Sequence, residues 1–222
     1  EPGHRQFDTV VHCGDLLKGD LVYTVNGVDP AILWSNRRAQ WNKGETATLA
    51  SVEYIERQMP SDTKSRHSDS GSEFLNYYFL DATEKARIGQ TRSRAGKKND
   101  NAFIEERNGH IVRKWIGYER FDMQAHVAAL NAVYEKLDLY LNNFQAVRRC
   151  VKRERIGAKY VRVYDTPQTP YARALAHKLI SKKQKEKLRS QHAALNPVTL
   201  LKEIAMLKTA LLNVNRATKP AK

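Results

Sequence analysis

The chain has 222 residues and a mass of 25.4 kDa, enough for one good-sized domain with an appendage or for two small domains. Hydrophobic residues make up 41% and charged residues 28%, which permits a packed core and excludes wholesale disorder. No apolar run reaches the ~18–20 residues of a membrane span, and Glu1-Pro2-Gly3-His4 does not open a signal peptide, so no membrane partner is expected. Cys13 and Cys150 stand far apart with no CxxC, against both a disulfide scaffold and a zinc site; a reduced, cytoplasmic setting follows. The chain begins without methionine, as a piece of something longer would.

Formal net charge is +14, and it is unevenly spread. Residues 1–145 carry a net charge of −1, whereas residues 146–222 hold 19 basic and 4 acidic residues. A cationic field so concentrated attracts a polyanion, and nucleic acid is the commonest. The plainer alternative is a solvated basic tail.

The first third reads as strands. Phe7–Cys13 is rich in β-branched residues, and Leu21–Val28 and Ala31–Trp34 follow, with Gly14 and Gly19 bracketing one turn and Asp29-Pro30 marking the next. Connections this short imply an antiparallel meander. From Lys43 to Met59 the period becomes helical, with Leu49, Val52, Ile55 and Met59 on one face. A short strand is expected at Ser65–Ser68, a helix over Glu73–Ala86 and a fifth strand at Arg87–Thr91. Arg92–Asp100 is a basic loop, and Asp100 is the expected N-cap of a helix through Phe103, Arg107 and Ile111. That order predicts an α/β fold of RNase H-like type, a mixed five-stranded sheet flanked by helices.

A helix-rich stretch over Met123–Phe144 completes the body. Short basic strands follow, in which Tyr160, Arg162 and Tyr164 alternate with apolar residues, then a turn-rich linker (Asp165–Pro170) and a basic helical end. Leu200, Ile204, Leu207 and Leu211 recur at helical spacing, on a face that either folds back on the body or pairs subunits. The expected division is a catalytic core (1–145), a small β-rich DNA-binding module (146–172) and a basic helical tail (173–222).

Three acids stand where acids are costly unless used. Asp8 interrupts an apolar strand, Asp69 ends the fourth strand in a tight Ser68-Asp69-Ser70-Gly71-Ser72-Glu73 turn, and Glu105 follows the basic loop, with 35 residues between it and Asp69. Each has a plainer reading: a strand edge, a helix cap, a surface acid. Converging carboxylates repel unless they share cations or protons, and oxygen-only ligands suit Mg²⁺ or Mn²⁺. Two such ions about 3.5–4 Å apart activate the attacking oxygen and stabilise the leaving oxygen of a phosphoryl displacement. Glu73 and Glu106 read as helix-terminus or surface acids. His12 shares the strand face of Asp8, and a core histidine is the commoner role for it.

The blocks PGHRQFDTVVHCG (2–14), Gly19–Trp34, SDSGSEFLN (68–76), TRSRAGKKNDNAFIEERN (91–108) and VRKWIGYERF (112–121), with Asn142-Asn143-Phe144 and Lys152–Arg173, resemble a bacterial insertion-sequence transposase of the DDE, retroviral-integrase-like group. The resemblance spans roughly residues 2 to 173. It implies that Asp8, Asp69 and Glu105 are the catalytic, metal-binding carboxylates, that two Mg²⁺ or Mn²⁺ ions serve them, and that DNA is the partner. The implied reaction is hydrolysis of a phosphodiester at the transposon end, then attack of the freed 3′-hydroxyl on target DNA, by a homo-oligomer assembled on DNA near the nucleoid. Where the family commonly has Asn after the second Asp, this chain has Ser70. Relatives carry a helix-turn-helix region ahead of the catalytic domain; this chain starts almost on the first strand, so an upstream part is missing or the element is truncated.

Expected DNA contacts are Arg92, Arg94, Lys97 and Lys98 in the loop before Glu105, Asn101 and Asn108 on its helix face, and Arg148, Arg149, Lys152, Arg153 and Arg155 in the basic module. Two rival readings stay open. One is an RNase H-like nuclease acting on hybrids or junctions, and the other is a truncated or domesticated transposase that only binds DNA.

Overall fold

The computed structural model describes residues 1–94 and 98–217. Three strands open the chain, β1 (His4–Val11), β2 (Val22–Asp29) and β3 (Trp34–Trp41), followed by helix α1 (Glu45–Arg57), strand β4 (Ser65–Ser68), helix α2 (Tyr77–Lys85) and strand β5 (Gly89–Arg92). The sheet order is β3-β2-β1-β4-β5, antiparallel through the first three strands and parallel from β1 to β4 to β5. This is the mixed five-stranded, RNase H-like layout anticipated from the element order.

Each sheet face carries its own core. On one side Phe7, Val25, Val52, Ile55, Phe74 and Phe79 pack beneath α1 and α2. On the other, Val22, Ala39 and Phe121 meet Leu130, Val133, Tyr134 and Leu137 of the long helix α4 (Gln124–Phe144). Between β5 and α4 lies the short helix α3 (Ala102–Arg107), entered through a 3₁₀ turn at Lys98–Asn101 and continued by a π-helical stretch, Asn108–Ile116.

The third strand lies further along than its apolar pattern suggests. Ala31–Leu33 forms a turn with Leu33 at φ 57°, and the strand is the polar WSNRRAQW of 34–41. The reason is tertiary. This edge strand pairs with side chains of α4: Asn142 binds the Ser35 backbone N–H and C=O, Asn131 does the same for Ala39, and the Asp138 carboxylate accepts from the Arg37 N–H. Arg37 also forms a buried ion pair with Asp138. A helix thus satisfies the open rung of the sheet and blocks further strand addition.

Beyond α4 come the hairpin β6 (Cys150–Ile156) and β7 (Lys159–Tyr164), then α5 (Pro170–Ala176), α6 (Lys182–Ala193) and α7 (Pro197–Ala217). Part of the expected linker therefore begins a helix, with Thr169 accepting from the Ala172 N–H as its cap. Ala174 and Leu188 join the α1-side core, and Ile204 and Leu211 join the α4-side core, so the final leucine-bearing helix folds back on the body. The hairpin itself is exposed along both strands. Its root is clamped: Asp165 accepts from the Arg149 N–H and from both terminal nitrogens of Arg173, which also reaches the Val147 carbonyl.

Candidate active site

Strand β4 pairs with β1 in parallel register from His4–Ser65 to Gln6–His67, while β1 runs on to Val11. Ser68 ends β4, and Asp69 follows it into the turn, near enough to Asp8 for its charge to act on that carboxyl. Burial pushes the Asp8 carboxyl up to about 6; the charges of Asp69 and Glu73 add to the rise, and hydrogen bonds from the Thr9 N–H and the Asn108 amide oppose it.

Helix α3 is pinned along β1 at two points on the face that carries Asp8. Gln6 donates to the Asp100 carbonyl at 3.1 Å and accepts from the Ile104 N–H at 3.3 Å. Two residues on, Asn108 donates to Asp8 at 2.7 Å and accepts from Asn26 at 2.9 Å. Strand and helix rises match over this span, about 6.7 Å for two strand residues against 6 Å for four helical ones. Glu105 lies on the turn between these anchors and is exposed. Among the described residues no group of three acids, histidines or cysteines stands close enough to hold a metal ion as they are.

Glu73 departs from its sequence reading. It is 2% exposed, and its Oε1 accepts from Thr9 Oγ1 at 3.0 Å and from Lys43 Nζ at 2.7 Å. Its Oε2 is buried without a hydrogen-bond partner. The turn that holds it is tight: a Cβ on Gly71 would stand 2.4 Å from Glu73 Oε2 and 3.0 Å from Asp69 Oδ1, which itself accepts the Gly71 N–H. Only glycine leaves room for both acids. The signal for Glu73 was its place four residues after Asp69; Lys43 and Gln6 gave none, since their neighbours lie far along the chain.

His12 is a core histidine. It is fully buried, bonds Thr24 Oγ1 at 2.8 Å and packs on Phe121, and burial lowers its pKa to about 3, leaving it neutral. Glu106 is exposed, as expected.

The expected DNA contacts divide. Arg92 and Arg148 are exposed. Arg94 is exposed but its guanidinium grips Asp100 through two nitrogens, each at 2.9 Å, so Asp100 serves this pair and does not cap α3. Asn101 is buried, and Asn108 is partly buried and donates to Asp8. Lys97 lies outside the described residues, as does the side chain of Lys98. Arg149 is half-buried and bonds the Ala31 carbonyl, anchoring the hairpin root. In the hairpin, Arg153 opposes Arg162 and Arg155 opposes Tyr160, so these four share one face, with Arg153 4.0 Å over the Tyr160 ring. Lys152 lies on the other face with Val161 and Val163 and pairs with Glu154.

A cavity of about 420 Å³ lies away from the acids, between β3, the end of α1, α4 and α6. None of Asp8, Asp69, Glu73 or Glu105 lines it, and a duplex needs an open groove rather than an enclosed cavity.

No family model matches the chain. It is 32% identical over 172 residues to an uncharacterised protein, y4rM, of Sinorhizobium fredii, a match covering 78% of this chain and 49% of that protein. The chain thus spans about half the length of the curated relative it matches. Among solved structures it is similar to a chain of the simian T-cell lymphotropic virus intasome in complex with a PP2A regulatory subunit (TM-score 0.54, 14% identity, 66% of this chain and 50% of that one). The HTLV-2 integrase catalytic core in complex with magnesium also aligns (TM-score 0.49, 13% identity, 65% of this chain and 87% of that one). The fold is RNase H-like, shared with that intasome chain.

Proposed function

We propose that this chain is the catalytic region of a DNA transposase of the DDE type, a polynucleotidyl transferase that cuts phosphodiesters at transposon ends and joins the freed 3′-hydroxyl to target DNA. The observation that supports the reading is the buried Asp8 carboxyl on β1, whose ionised form the charge of Asp69, just past the end of β4, disfavours, with Asn108 tying the Glu105-bearing helix to Asp8. The integrase-core fold and the basic final third support the same chemistry.

The residues fit a divalent cation. Two carboxylates side by side, a buried Glu73 oxygen without a donor and a glycine that keeps the space between Glu73 and Asp69 clear all call for positive charge. Asp8 and Asp69 would hold Mg²⁺ or Mn²⁺, joined by Glu105 as DNA closes the site. Bound there, such ions activate water or a 3′-hydroxyl and stabilise the leaving oxygen. The chain's own part is to orient. Asn108 fixes the Asp8 carboxylate, the Gly71 N–H fixes Asp69, and Gln6 sets the start of α3.

DNA would lie along the acid notch with its phosphates on Arg92 and Arg148 and on the Arg153, Arg155, Arg162 and Tyr160 face of the hairpin. Residues 146–172 would then act as the DNA-binding module of a homo-oligomer working in the cytoplasm. The test is Mn²⁺-dependent joining of a pre-cleaved donor duplex to plasmid DNA. Wild type should join and Asp69→Asn should not; equal yields from both would refute the assignment. Nicking without joining would point to a nuclease instead.

A further inference from the structure

Lys43 lies in the turn between β3 and α1, and its ammonium stands 2.7 Å from Glu73 Oε1. The two ends of this pair differ in environment: the Glu73 side chain is 1% exposed and that of Lys43 is 41% exposed. Thr9 Oγ1 locks the same carboxylate oxygen from below, so the acid is fixed and fixes the cation. An ammonium has three N–H donors, and Glu73 takes one of them; the rest of the group faces solvent. Asp69 acts on the same ammonium, which puts Lys43 at the rim of the proposed metal site.

Such a pair is poor value as a structural brace. A half-exposed lysine gains little from an ion pair, and ordering its long side chain costs entropy. Burying Glu73 with Oε2 unpartnered adds a desolvation cost. An apolar residue at position 73 would avoid both costs. The arrangement makes sense if a cation must be held still beside the acids for something that arrives from solvent. With divalent cations held by Asp8 and Asp69, an ammonium at their border would meet a ligand that carries negative charge.

We propose that Lys43 binds a backbone phosphate of DNA next to the bond being cut or joined, and that Glu73 is the positioning residue that holds it there. This rests on the transposase reading above and adds to it a contact from the first half of the chain, outside the basic C-terminal third.

The test is fluorescence anisotropy of a labelled DNA duplex with the full chain, in Mg²⁺, from about 50 to 200 mM NaCl. Lys43→Ala should weaken binding about fivefold to tenfold and lower the salt slope by about 0.9, one phosphate contact, while Lys43→Arg should keep most of both. Glu73→Gln should also weaken binding although it removes a negative charge, and on a Lys43→Ala background it should weaken it no further. General electrostatics predicts the opposite sign for Glu73→Gln, so tighter binding by that variant would overturn the proposal. Wild-type affinity and slope in Lys43→Ala would overturn it too, and that half-exposed position decides the matter if Glu73→Gln fails to fold. Wild-type strand transfer that survives Asp69→Asn would instead sink the underlying reading.

Discussion

Asp8→Asn should make the metal-free protein more stable. The Asp8 carboxyl titrates at about 6 in the folded chain against 3.8 when unperturbed, because burial and then the charges of Asp69 and Glu73 disfavour its ionised form. A shift of about 2 units corresponds to about 3 kcal/mol at 1.36 kcal/mol per unit, an upper figure for the penalty of keeping Asp8 charged at pH 7. Between the two values the folded state binds more protons than the unfolded chain, so wild-type stability falls as pH rises from about 4 to about 6 and then levels. Asparagine carries no charge, and its single oxygen accepts from either the Thr9 N–H or the Asn108 amide, so one of these two hydrogen bonds, about 1 kcal/mol, is given up against the charge penalty. Stability measured in EDTA by urea unfolding should therefore favour Asp8→Asn by about 1–3 kcal/mol above pH 6 and by little below pH 4. Subtracting the two curves cancels Asp138, whose buried carboxyl is also raised to about 6. Mg²⁺ should raise the wild-type melting temperature at pH 7 and leave that of Asp8→Asn nearly unchanged. If Asp8→Asn is the less stable protein in EDTA at pH 7, or if Mg²⁺ shifts both melts alike, the argument that these acids crowd one another for want of a cation is wrong.

Gly71→Ala should cut strand-transfer activity at least about tenfold, because its Cβ would stand 2.4 Å from Glu73 Oε2 and 3.0 Å from Asp69 Oδ1 and must displace them; steady-state yield against wild type checks it. On the hairpin, Arg153→Ala, Arg155→Ala and Arg162→Ala should each lower the salt slope of DNA binding by about 0.9, and Lys152→Ala by less, since Glu154 already holds it; anisotropy titrations separate the two faces. Arg173 holds the Asp165 carboxyl down to about 2, so the clamp contributes fully above the ordinary carboxylate range and is lost as pH falls through about 2. Asp165→Asn should bring the same loosening to pH 7, seen as faster amide exchange over β6 and β7 with α4 unchanged.

The strands with β-branched alternation and the helices with apolar stripes were legible because their burial is decided locally, by period. Phe7, Val52 and Ile55 read correctly for that reason. The strand at 34–41 was not, because Asn36 and Arg37 are buried polar residues whose partner, Asp138, lies about a hundred residues away, and Gln40 is buried against Asn42 and Thr48. Asp8, Asp69 and Glu105 stand out in the sequence by type and spacing, and the charge of Asp69 acts on the buried Asp8 carboxyl. Glu73 looked like a surface acid because its burial depends on Lys43 and Thr9, from other parts of the sheet. Basic residues carried the least positional information. Arg94 and Arg149 are taken up by Asp100 and by the Ala31 carbonyl, while Arg153 stays open, and nothing in the composition separates them.

The two edges of this architecture are treated in opposite ways, and the difference bears on where a polymer can dock. At β3 the chain commits three polar side chains of α4 to a strand's free backbone groups, closing that side to any extended ligand. At the inner boundary between β1 and β4, pairing stops at His67 and the chain turns away through Gly71, leaving the last residues of β1 without a partner on that side. Parallel strands end their crevices at the carboxyl side, where ligands of open α/β sheets characteristically bind. The acids stand at this notch, Lys43 reaches its rim, and α3 is tied down beside it by Gln6 and Asn108. A phosphate backbone laid there would meet fixed groups on three sides without any loop having to close over it. The free energy of DNA binding can then go into aligning the reacting phosphodiester with Asp8 and Asp69.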